Sequence, residues 1–66
     1  MTRYSFTRYR WVEIIVSANE NCVTYTLPDV VDKFGNPYIA NRLSKAKQMI
    51  TRVLHGKSKN YRLHNQ

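Results

Sequence analysis

The chain of 66 residues contains one cysteine, two glycines, two prolines and four acidic residues. Each scarcity excludes something. Cys22 alone forms no intrachain disulfide, and one cysteine with so few histidines does not build a structural zinc site. It reads as a small buried or half-buried strand residue. The N-terminus is rich in Arg and Tyr and lacks a long apolar run, so no signal peptide is expected. No segment approaches the ~20 apolar residues of a membrane span. A soluble protein of a reducing, cytoplasmic compartment is expected, with no membrane partner. A Gly-rich phosphate loop, a Cys/His pair and a Ser/His/Asp set are all missing, so the chain reads as a non-enzyme without metal or cofactor. Asp29 and Asp32 could suggest a metal or acid–base pair, but acids at a helix N-terminus explain them sufficiently.

The shortage of acid is uneven. Glu13, Glu20, Asp29 and Asp32 all lie in the first half, and none follows. Lys33, Arg42, Lys45, Lys47, Arg52, Lys57, Lys59 and Arg62 come after them, within a net charge of +7. So long a segment of one sign repels itself unless a polyanion is nearby, and nucleic acid is the expected partner. A protein target with an acidic surface is the other.

A chain this short makes one domain, 1–66, and buries only about 60% of its unfolded surface. Residues 1–10 interleave Arg with aromatic rings, which suits a flexible basic arm or an edge strand; Arg3, Tyr4, Arg8, Tyr9 and Trp11 would form its stacking platform. Trp11–Ser17 is rich in β-branched residues, Ala18–Asn21 supplies turn residues, and Cys22–Thr26 resumes as a second strand. Thr26-Leu27-Pro28-Asp29 reads as the start of a short helix with Val30, Val31 and Phe34 inward and Gly35 at its end. Asn36-Pro37 reads as a further helix start and Gly56 as a helix stop. Between them Ile39, Leu43, Ala46, Ile50 and Val53 recur at steps of three and four, one apolar helical face. Residues 58–66 form a basic tail or add a short strand at Asn60–Leu63.

The fold class expected is therefore α+β, an N-terminal β-hairpin followed by two or three helices. The last two would form a helix-turn-helix broken near Ser44-Lys45. The alternative is the hairpin plus one long C-terminal amphipathic helix. The expected core is Trp11 or Val12, Ile14, Val16, Val23, Phe34, Ile39, Leu43, Ile50 and Val53.

From Thr26 to Leu54, T-L-P-D-V-V-D-K-F-G-N-P-Y-I-A-N-R-L-S-K-A-K-Q-M-I-T-R-V-L, the chain resembles the Cro repressors of lambdoid phages. Ala40, at a close helix crossing, and Leu43, Ile50 and Val53 carry the resemblance. Ser44 stands where that family usually has Gly, and Lys45 where it usually has an apolar residue, which favours the continuous helix. The resemblance implies a phage-type transcriptional repressor acting in a bacterial host cytoplasm and binding duplex DNA, favoured over RNA, through a recognition helix at residues 45–55. Lys47, Gln48, Thr51 and Arg52 would read base edges. Asn36, Tyr38, Lys45, His55, Lys57 and Lys59 would hold phosphates. A symmetric homodimer would be needed for useful specificity, with the free edge of the hairpin as its seam. The competing reading is a small phage-encoded RNA-binding protein, or an inhibitor that disables a host nucleic-acid machine by protein contact.

Overall fold

The computed structural model describes residues 1–64. Five strands and one helix follow in order: β1 (Arg3–Tyr9), β2 (Val12–Ala18), β3 (Val23–Val31), β4 (Pro37–Ala40), α1 (Leu43–Leu54) and β5 (Arg62–Leu63). The first four strands form an antiparallel meander in the order β1-β2-β3-β4. β5 pairs with the far end of β3, setting Val30 against Leu63 and Val31 against Arg62. Val31 pairs with Pro37 on its other side, so β5 takes the edge of β3 that β2 occupies further up.

The period-2 pattern explains which face is covered. Val12 and Ile14 of β2, Leu27, Val30 and Val31 of β3, and Ala40 of β4 are buried. Ala46, Ile50 and Val53 of α1 close over them, the helix lying across β3, β4 and β5. Tyr38 and Tyr61 seal one flank as an edge-to-face pair with ring centroids 5.2 Å apart. Among the described residues no polar or charged side chain is buried, and no helix is long and apolar enough to cross a membrane. Among the described residues no layer covers the opposite sheet face. By register, Phe6, Ile15, Thr26 and Ile39 line up across all four strands on that open face.

The expected hairpin is present as β2 and β3, but the two or three helices and the helix-turn-helix are not. The single helix begins at Leu43 and runs unbroken through Ser44 and Lys45. It is also not the long helix of the alternative, because residues 37–40 are a strand. Tyr38 and Ile39 pair with Leu27 and Thr26, and burial along β4 alternates as a strand's does. The helix expected over 28–34 is the second half of β3 and a turn. Two β-branched residues, Val30 and Val31, are both buried in a strand. Pro28, which lacks a ladder donor, sits where the β3–β4 register shifts between Leu27 and Val31, the place a strand tolerates it. Phe34 is consequently on a turn and 76% exposed, and Ile39, on the open face, is 60% exposed. Trp11, Val23 and Leu43 are exposed too, while Val12, Ile14, Ile50 and Val53 are buried as expected. Cys22 lies exposed in the β2–β3 loop and not in a strand. Residues 58–61 lead into β5, and residues 65–66 of the expected tail lie outside the described residues.

Asp32 builds the β3–β4 turn. Its Oδ1 accepts from the Phe34 N–H at 2.8 Å and the Asn36 N–H at 2.9 Å. The Asn36 N–H above all lowers its carboxyl below the ordinary 3.8; desolvation opposes this, and the N–H of Phe34 adds to the lowering.

Two outcomes follow from this packing. Ile50→Ala should lower stability by about 2–5 kcal/mol in urea titration, whereas Phe34→Ala should change it by no more than about 0.5 kcal/mol. A folded-state pKa below the unfolded value contributes stability that is fully present above the unfolded value and lost as pH falls through the folded one. The difference in urea midpoint between wild type and Asp32→Asn should therefore stay constant from about pH 7 to pH 5. It should shift, at the expense of wild type, once pH drops below 3.8.

Candidate nucleic-acid interface

α1 starts poorly and ends well. Its N-cap is Arg42 in extended geometry with no side-chain cap, and no acid occupies the first turn. Lys45 there even opposes the helix dipole. The C-terminus is closed by Gly56 at φ 68, with the Gly56 N–H on the Val53 carbonyl at 3.1 Å and the Lys57 N–H on the Arg52 carbonyl at 2.8 Å. That pair of bonds is a Schellman motif. The helix is held by the burial of Ala46, Ile50 and Val53, which leaves the rest of its surface free to carry charge.

That surface carries Ser44, Lys45, Lys47, Gln48 and Arg52, all exposed, and no acid. Two aromatic residues from the sheet flank it. On one side, Tyr9, Lys47, Gln48, Thr51 and Arg52 line an open groove of about 390 Å³. On the other, Tyr38, Lys45, Gln48, Met49 and Arg52 line a second of about 250 Å³. Gln48 and Arg52 belong to both and form the crest between them. Lys47 Nζ lies 5.3 Å from the centre of the Tyr9 ring, and the Arg10 guanidinium 5.5 Å from it. Both are within cation–π range.

The tip of the β1–β2 hairpin adjoins this groove. Tyr9 pairs with Val12, so Arg10 and Trp11 form a two-residue turn, and both have positive φ, 51 and 72. Positive φ at both positions is the type I′ geometry that matches strand twist and normally takes Asn-Gly. Here it carries an arginine and a tryptophan, and Trp11 is 93% exposed. Strain of this kind, holding a large ring in water, marks a candidate contact residue.

The structure thus gathers the four expected base-reading residues, Lys47, Gln48, Thr51 and Arg52, and adds Tyr9 to them. Thr51 is half-buried and its hydroxyl donates to the Lys47 carbonyl at 3.0 Å, which commits its proton to the helix. Of the expected phosphate contacts, Lys45 and Tyr38 flank the same face. His55 and Lys57 lie at its C-terminal closure. Asn36 belongs instead to the Asp32 turn, and Lys59 to a separate cavity of about 350 Å³ lined also by Asp32, Lys33, Phe34, Asn60 and Tyr61. The N-terminal platform is divided. Arg3 and Tyr9 point to the helix side, while Tyr4 and Arg8, opposite Ser17 and Glu13, lie on the open face. Arg10 was not foreseen; its place between Tyr9 and Trp11 was the available signal, and the turn conformation that exposes it was not readable. Among the described residues no group of three or more His, Cys, Asp or Glu could hold a metal ion. No protein-family model, curated protein or solved structure matches the chain.

Replacing the strained pair by Arg10→Asn with Trp11→Gly should raise stability by about 1–2 kcal/mol in chemical denaturation. The same double variant should bind nucleic acid more weakly than wild type in fluorescence anisotropy, because it loses a ring and a cation.

Proposed function

We propose that this chain is a small basic nucleic-acid-binding protein that lays the exposed face of α1 into the major groove of duplex DNA. The observation that carries this reading is the acid-free helix face, with Lys45, Lys47, Gln48 and Arg52 exposed between Tyr9 and Tyr38. The major groove admits an α-helix, and the sheet beneath α1 serves as the handle that presents it. Lys45 and Lys47, on either shoulder of the helix, face the two phosphate walls. Gln48 and Arg52, on the crest, face base edges, where Gln suits adenine and Arg suits guanine. A regulator that reads a short site is the specific form of this proposal. The cytoplasm, where DNA is accessible, is its proposed place of action.

A second reading has its own support. Trp11 at a strained turn, with Tyr9 and Arg10 beside it, suits stacking on unpaired bases, so single-stranded RNA is the alternative ligand. Inhibition of another protein is the third, and it differs in its salt dependence.

Anisotropy titrations on duplex DNA, duplex RNA and single strands separate these readings. With roughly five phosphates contacted, log K against log salt should fall with a slope of about −4 to −5 on duplex DNA. Lys47→Ala should flatten that slope by roughly one and weaken all sequences alike. After binding-site selection with wild type, Gln48→Ala and Arg52→Ala should each cost about 1–3 kcal/mol on the selected site and much less on random DNA. If no sequence is selected and single strands bind most tightly, the stacking reading replaces this one. Absence of binding to all of these nucleic acids, even at low salt, would leave only a protein target.

A further inference from the structure

β1 ends the sheet. β2 takes one of its edges, and among the described residues no strand takes the other. Such an edge is a template for another strand unless something blunts it. β1 pairs residue for residue with β2 over its whole length, without a bulge, and contains no proline or glycine. Its side chains are exposed from Arg3 to Arg8 and half-buried only at Tyr9. Arg3 and Arg8 are the deterrents that remain against a second copy of the same strand.

The order of residues removes them. β1 reads Arg-Tyr-Ser-Phe-Thr-Arg-Tyr. Laid antiparallel on a second copy with Phe6 facing Phe6, Arg3 faces Tyr9, Tyr4 faces Arg8 and Ser5 faces Thr7. Every residue of the strand is then paired, each cation faces a tyrosine ring, the serine faces the threonine, and no arginine faces an arginine. Cross-strand pairs of these kinds are favourable, and like charges directly opposite are not. The strand is a palindrome in chemical class, centred on Phe6. The register also keeps faces matched. Arg3, Ser5, Thr7 and Tyr9 share the side of buried Val12 and Ile14, and Tyr4, Phe6 and Arg8 share the open side.

We propose that the protein forms a symmetric homodimer by antiparallel pairing of β1 with β1 about a two-fold axis at Phe6, perpendicular to the sheet. Two four-stranded meanders become one continuous sheet with both helices on the same side. The interface is isologous, as a two-fold requires. On the open face, Phe6 of each copy meets at the axis and Tyr4 and Arg8 extend the row on either side. Dimerisation does not depend on the nucleic-acid reading. One consequence does rest on it: Arg3 of the second copy stands opposite Tyr9, beside Lys47, so each groove gains a cation from its neighbour.

Sedimentation equilibrium of the full chain without nucleic acid tests the proposal. A concentration-dependent dimer is expected. Tyr4→Arg sets arginine against Arg8 at two symmetric places and should raise the dimer dissociation constant about tenfold or more, and adding Arg8→Tyr to it should restore dimerisation by returning a ring to each cation. Far-UV circular dichroism checks that the variants stay folded. Register is read by cysteine cross-linking in a Cys22→Ser background. Phe6→Cys should cross-link to itself, and Tyr4→Cys mixed with Arg8→Cys should cross-link as a pair. Tyr4→Cys alone should not, because its own counterpart lies four residues away, about 13 Å. A monomer at every concentration overturns the proposal. So does a dimer indifferent to Tyr4→Arg, or one in which Tyr4→Cys cross-links as readily as Phe6→Cys. DNA binding by a persistent monomer would remove the dimer and leave the proposed function standing.

Discussion

Everything in this small molecule depends on one sheet face being covered by one helix. Ile14, Leu27 and Val30 offer an apolar surface on the sheet, and Ala46, Ile50 and Val53 offer one stripe of α1. Among the described residues neither surface has another partner, and these side chains form one core cluster. The helix could not stand alone: it is twelve residues long, begins at an uncapped arginine and carries a lysine where an acid would help. Packing on the sheet overrides those defects. Because burial of a narrow stripe holds the helix, its outer surface is released from structural duty and can be uniformly basic.

The same constraint sorts charge across the molecule. The acids lie in strands, in the β2–β3 loop and in the Asp32 turn, away from α1. Arg8 faces Glu13 across β1 and β2, so the open face carries a cation and an anion side by side while the helix face carries cations alone. The helix side is thus electropositive and the open side close to balanced, so the two faces of one layer differ in the electrostatic field they present. The row of exposed Phe6, half-buried Ile15 and exposed Ile39 belongs to the open side, away from the basic face of α1.

Legibility differed by segment for identifiable reasons. The β2–β3 hairpin was readable because β-branched residues alternate there between two faces and Ala18–Asn21 is turn chemistry. The buried stripe Ala46, Ile50 and Val53 and the stop at Gly56 were readable because helical spacing and a left-handed glycine are local signals. Residues 28–40 misled. Thr26-Leu27-Pro28-Asp29 has the composition of a helix start, yet Val30 and Val31 gain more as strand residues between β4 and β5. Ile39 and Leu43 happen to fall in step with the helical stripe, but Ile39 belongs to the open face of β4 and Leu43 to the exposed first residue of α1. Asp32 reads in the sequence as negative charge at a helix N-terminus; in the structure there is no helix there, and its carboxylate accepts the backbone N–H groups that close the β3–β4 turn.

The candidate site divides along the same line. The sequence by itself determined that the second half of the chain is basic and acid-free, that Lys45, Gln48 and Arg52 share a polar helical face, and that aromatic rings and arginines alternate near the N-terminus. Those are properties of composition and of 3.6- and 2-residue periods, which need no partner to exist. Tertiary structure alone decided that Tyr9 and Tyr38 flank that face from two different strands. It also decided that Arg10 and Trp11 project at a strained turn, that Tyr4 and Phe6 look away from the helix, and that β1 is left as an edge. Each of these depends on which strand pairs with which and in what register, and register is set by long-range burial that no local window contains.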